Sequence, residues 1–235
     1  MSEEANQLYH YTSMNALFQI LNGIENGNLT LRATHYQYLN DTTECKLVDR
    51  YISECLSLST VISHNSADTY IISLSSLEND LSMYRLYSGK NGVSLCFREL
   101  SSNEGKIVEC DYIKNIDEIR NKYFYVDSVN SVNSLLSFVD CNAQIKHSSF
   151  EPEQEKRLVV DNKDKLPVKF FEKNGLIKPY IEVQIPITAL KQIWLAPECN
   201  EELSRKSILM LLGSKGVTHI TENDIIHSKH PYIDR

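Results

Sequence analysis

Short apolar runs, rich in β-branched and aromatic residues, recur along the whole chain, and none of them is long. Leu8-Tyr-His-Tyr-Thr12, Leu29-Thr-Leu-Arg32, Tyr70-Ile-Ile-Ser-Leu-Ser75 and Gly92-Val-Ser-Leu-Cys-Phe97 read as strands of a few residues each. So do Lys106–Cys110, Arg157–Val160, Tyr180-Ile-Glu-Val-Gln-Ile185, Gln192-Ile-Trp-Leu195 and Val217-Thr-His-Ile220. Helical stripes lie between them. Met14, Leu17, Phe18, Leu21 and Ile24 recur at helical spacing behind a Thr12 or Ser13 cap, and Asn26-Gly27-Asn28 stops that helix. Further helices are predicted from the end of a polar loop, Thr34–Thr43, to about Leu58, over Leu81–Tyr87, from Asn115 to His147, and over Glu198–Leu212. Strands this short, with helices inserted between them, predict an α+β fold over residues 1–235 as a single domain. Its strands form two small sheets or one split sheet around a cleft.

Charge and cysteine usage narrow the setting. The 235 residues carry 24 basic and 31 acidic side chains, a net charge of −7, which argues against a sequence-indifferent coat for nucleic acid but leaves room for a local basic groove. A hydrophobic content of 42% excludes disorder for the bulk of the chain. Cys45, Cys55, Cys96, Cys110, Cys141 and Cys199 include no C-x-x-C pair, so a zinc ribbon or thioredoxin-type motif is absent. The opening Met1-Ser-Glu-Glu-Ala-Asn-Gln has no apolar h-region, and no apolar run approaches the ~20 residues needed to span a bilayer. Reduced core thiols, a cytoplasmic location and no membrane partner are the expectation.

Candidate chemistry is scattered. His10 stands between Tyr9 and Tyr11 in a strand, on the opposite face from both, and by spacing alone reads first as a core histidine. Tyr84 and Tyr87, three apart, fall on one face of a short helix and, taken alone, read first as core aromatics. Glu151, Glu153 and Glu155 alternate beside Lys156 and Arg157; such a run is commonly a solvated face, yet Glu155 opens onto a strand mouth. Asn40-Asp41 with Glu44 fits a capped loop, a metal or a ribose, and His227 and His230 fit an exposed turn. No G-x-G-x-x-G, P-loop or H-E-x-x-H is present, and no metal site is predicted.

The order of these segments resembles the DUF2971 family of bacterial proteins. The resemblance begins with Leu8-Tyr-His-Tyr-Thr-Ser13, Leu29-Thr-Leu-Arg32 and Tyr38-Leu-Asn-Asp41. It continues through Ser73-Leu-Ser-Ser76, Met83-Tyr-Arg-Leu-Tyr87 and Gly92–Phe97, and returns at Lys146-His147, Glu155-Lys-Arg-Leu158 and Ile193-Trp-Leu195. Tyr84 and Lys156 stand where the family has tryptophan. The family in turn resembles distantly the ADP-ribosyltransferases, whose split β-sheet core binds NAD through a His-Tyr-Glu triad.

Carried over position by position, the resemblance implies His10, Tyr87 (or Tyr84) and Glu155 as catalytic residues. Tyr11, Thr12, Arg32, Tyr84 and Arg157 are then the residues that bind NAD, the substrate. Histidine would orient the adenosine ribose and tyrosine would stack on nicotinamide. Glutamate would stabilise the oxocarbenium-like charge as nicotinamide leaves. The implied activity is transfer of ADP-ribose to a protein or nucleic acid. A toxin or phage-defence effector, with an antitoxin or defence-system partner, is the implied setting. An NAD glycohydrolase, a 2′-phosphotransferase-like enzyme, and a non-catalytic member that binds a nucleotide or protein are the alternatives.

Overall fold

The computed structural model describes residues 7–39, 68–98, 100, 105–115, 117–118, 122, 143–163, 165–173 and 175–231. They form an α+β structure of mixed sheet and helices, as expected. Its contacts group into two compact units. One takes the described residues within Met1–Leu31, Leu74–Ser102 and Val183–Arg235, the other those within Arg32–Ser73 and Asn103–Glu182.

In the first unit, β1 (Gln7–Thr12) pairs antiparallel with β4 (Val93–Arg98) along its whole length, from Gln7 opposite Arg98 to Thr12 opposite Val93. The end of β3 (Thr69–Ser75) joins its other edge, with Tyr9 opposite Ser75. Next to β4 lies β11 (Leu190–Leu195), antiparallel, and β12 (Ile225–His227) adds parallel to β11. Period-2 alternation buries Leu8, Leu95, Phe97, Ile193 and Leu195 on one face and sets Tyr9, Tyr11, Ser94 and Cys96 on the other. Helix α1 (Met14–Asn22) starts where Ser13 Oγ accepts the Ala16 N–H, and it buries Leu17 and Leu21. Helix α2 (Glu201–Ser214) starts on the Asn200 cap with Glu201 and Glu202 in its first turn, where the macrodipole favours acid.

Between β3 and β4 the predicted helix Leu81–Tyr87 takes two forms. Asp80 caps a single α-turn, Leu81–Met83, and the chain then widens into a π-helical turn, Tyr84–Ser88, closed by the Gly89 N–H donating to the Tyr84 carbonyl. Gly92 follows against this turn. A β-carbon there would meet the Ser88 carbonyl oxygen at 2.3 Å and the Ser88 Cβ at 2.4 Å. Gly92→Ala must therefore push the π-turn away from β4. We expect it to lower unfolding free energy by about 1–3 kcal/mol in a denaturant titration, the range for overpacking a tight site.

In the second unit, β2 (Asn28–His35) pairs with β3 at Thr34 opposite Ile71 and His35 opposite Tyr70. On its other side runs β10 (Leu176–Pro186), which forms an antiparallel hairpin with β9 (Lys169–Lys173). Strand β8 (Glu155–Asp161) pairs with β5 (Lys106–Glu109) and with β3. A separate parallel pair joins β6 (Asp111–Ile113) to β7 (Ile145–His147). Tyr36, Ile71 and Ala143, with Leu39 and Val159, make a core cluster. The chain passes from one unit to the other inside β2, β3 and β10.

Several boundaries move. Strand β2 runs on to His35 and a 3-10 turn follows over Tyr36–Tyr38, so the polar loop predicted over Thr34–Thr43 does not begin at Thr34. Val217–Ile220 is not a strand; the last strand is β12, which carries His227 out of the turn expected for it. The predicted helix ending at His147 gives way to β7. Asn40, Asp41, Glu44, Cys45, Cys55, Cys141, the helix predicted as far as Leu58 and most of that predicted from Asn115 lie outside the described residues. Among the described residues, Cys96, Cys110 and Cys199 are buried and no two of them are joined by a disulfide, and burial pushes the Cys96 thiol up to about 11. No described helix is long and apolar enough to cross a membrane.

Candidate functional site

Glu155 is reached through a sharp change of direction. The 3-10 turn Ser148–Glu153 ends at Gln154, whose left-handed conformation (φ 44°) turns the chain into β8. Strand alternation then places Glu155 and Arg157 on one face, two residues apart. The Arg157 Nε donates to Glu155 Oε1 at 2.9 Å, its Nη2 to Oε2 at 3.4 Å, and its Nη1 to the Ala143 carbonyl at 2.9 Å. Lys146, from β7, donates to Glu155 Oε2 and to Glu153 Oε2, the latter at 2.6 Å, with its ammonium 4.9 Å from the centre of the Phe150 ring. The Glu155 N–H donates to the Tyr112 hydroxyl at 2.7 Å.

All four ionic side chains are buried, Arg157 to 1% exposure and Lys146 to 3%. Burial by itself raises the Glu155 carboxyl; the adjacent charges of Arg157 and Lys146 outweigh it and hold that carboxyl down at about 2. The result is a permanent anion in a nearly water-free position, fixed in orientation by two cations. Such a group can stabilise positive charge that develops close to it. Tyr112, beside it, is pushed up to about 12 by burial and stays a neutral hydroxyl.

His10, Tyr11, Thr12, Tyr84 and Tyr87 belong to the first unit, while Arg32, Glu155 and Arg157 belong to the second. Tyr11 and Tyr84 come together, their rings edge to face at 5.2 Å. The Tyr11 hydroxyl donates to the Leu77 carbonyl at 2.7 Å and accepts the Asp80 N–H at 2.9 Å, which ties β1 to the cap of the helical turn. His10 and Thr12 alternate onto the face opposite Tyr11 and are half-buried. Tyr84 and Tyr87 both fall in the π-turn, which is wider than an α-turn, and they differ in burial. Tyr84 is 1% exposed, its hydroxyl without a hydrogen-bond partner among the described residues, whereas Tyr87 is half-buried. Of the two, Tyr87 is the more exposed ring. Arg32 is exposed and lies over Tyr180, 4.9 Å from its ring centre.

Reading the sequence alone passes over Tyr112 and gives Lys146 and Glu153 no part in the site. The alternation Glu153, Glu155, Arg157 is visible in the sequence as a set of opposite charges on one face; its partner Lys146 becomes visible only once β7 is placed. No group of three or more His, Cys, Asp and Glu side chains among the described residues is arranged to hold a metal ion. Comparisons with protein-family models, with curated proteins and with solved structures find no match to this chain.

Proposed function

We propose that the chain is an NAD-cleaving enzyme of the ADP-ribosyltransferase type, acting on a macromolecular acceptor. The observation that carries this is the state of Glu155, buried yet held ionised by Lys146 and Arg157. When the bond from the ribose C1′ to nicotinamide breaks, its electron pair leaves with nicotinamide and the ribose becomes oxocarbenium-like. A fixed carboxylate at the 2′-hydroxyl stabilises that charge, and reaction is completed when an acceptor nucleophile bonds C1′ and gives up a proton. Incubating the folded protein with NAD and quantifying nicotinamide tests it: release above a protein-free control is expected, and its absence refutes the activity.

A second reading, a nucleotide-binding member without catalysis, is favoured by one observation. Both carboxylate oxygens of Glu155 are already engaged by Lys146 and Arg157. An NAD-dependent rise in melting temperature without nicotinamide release is its signature.

A further inference from the structure

On one face of the sheet formed by β2, β10 and β9, cations and aromatic rings interleave. The Arg32 guanidinium lies 4.9 Å from the centre of the Tyr180 ring and 6.0 Å from that of Phe171, and those two rings meet edge to face at 5.6 Å. Lys169 pairs with Glu182 at 2.7 Å across the hairpin, which fixes Lys169, Phe171 and Lys173 of β9 on the face that carries Lys178, Tyr180 and Glu182 of β10. Lys178 is buried and donates to the Tyr38 carbonyl at 2.7 Å, so its ammonium serves the fold. Arg32, Lys169 and Lys173 are exposed.

The aromatic contacts decide what anion such a surface suits. Arg32 is exposed, yet its planar group is held against a ring, so it presents an oriented, base-sized plane of positive charge rather than a mobile one. Unstacked bases lie flat on aromatic rings and guanidinium planes, and their phosphates sit against lysines. A duplex hides its base faces, and an acidic peptide has no flat ring to set on Arg32.

We infer that this face binds single-stranded nucleic acid, with Arg32 as the stacking plane and Lys173 on the phosphates. The inference goes beyond NAD cleavage and stands without it.

The test is fluorescence anisotropy of a labelled single strand of roughly 12 nucleotides, within the usual site size, titrated with the full chain at several salt concentrations. Binding should weaken as salt rises, with a log–log slope of about −0.7 for each phosphate contacted. Lys173→Ala should make that slope shallower by about 0.7. Arg32→Lys keeps the charge and loses the plane, so the slope should hold while affinity falls roughly 5- to 100-fold. Both positions are exposed, and circular dichroism checks the fold of each variant. Three outcomes would overturn the inference: no binding at low salt, equal competition by poly-glutamate or by the same sequence as a duplex, or variants that bind like the parent chain. Nicotinamide release is read separately, so a failure here leaves the NAD reading where it stood.

Discussion

Replacing Glu155 by Gln is expected to lower NAD turnover by roughly 10²–10³ while leaving NAD affinity nearly unchanged. Gln keeps the size and one hydrogen-bond acceptor but removes the charge, and the charge is what the oxocarbenium-like state needs while bound NAD does not. The same substitution leaves Lys146 and Arg157 short of a counter-charge in a buried place, so the variant should also melt earlier. Turnover and affinity therefore need to be compared at a temperature where both proteins are folded, by nicotinamide release and calorimetric NAD binding. Loss of affinity and rate together points to a structural role for Glu155. Unimpaired turnover removes it from the catalytic step and favours the binding reading.

Lys146→Met should cost about 3–5 kcal/mol of unfolding free energy, the scale for deleting one member of a buried ionic cluster. The lysine bridges two carboxylates that water barely reaches, and Met fills its volume without answering either charge. An exposed pair offers the contrast: Lys169→Met breaks the bridge to Glu182 and should cost less than about 1 kcal/mol. Acid gives an independent reading. Because the Glu155 carboxyl is held near 2 against an ordinary 4.5, folding keeps the proton off it. Its contribution, on the order of 3 kcal/mol, is complete above about pH 4.5 and disappears as pH falls toward 2. With Lys146 replaced, less holds that carboxyl down, and the acid limb of the stability curve should flatten. Urea titrations of both proteins between pH 2 and pH 7, a range set around those two values, measure the difference.

Where apolar alternation decides structure, the sequence already shows it. β1, β3, β4 and β11 each carry an apolar pattern whose burial needs no knowledge of the partner strand. Val217–Ile220 has strand-like residues too, and Val217 and Ile220 are indeed buried, but the ladder forms further on, where Ile225 and Ile226 reach Ile193 and Trp194. Strand preference reports a fit to a half-buried surface and does not say where a partner's hydrogen bonds lie. Polar partnerships are harder still. The run Glu151–Arg157 looks solvated in one dimension, and Glu155 is drawn inside by a lysine on a different strand. Nothing in Tyr84-Arg-Leu-Tyr-Ser88 distinguishes a π-turn from an α-turn; the closure onto Gly89 does that. The charges of Glu153, Glu155 and Arg157 are readable in the sequence, though only as a pattern awaiting its lysine.

The threading of the first unit bears on how the protein is made. Strand β4 is flanked by β1, synthesised before it, and by β11, which begins at Leu190, long after β4 ends at Arg98. At a ribosomal pace of roughly 5–20 residues per second, about 5–20 s separate the two. Throughout that interval the backbone edge of β4 that β11 will cover has no native occupant, and the strand it belongs to is Val-Ser-Leu-Cys-Phe-Arg, the kind of edge that recruits foreign strands. The order of synthesis thus leaves one edge of β4 without its native neighbour until β11 has been made.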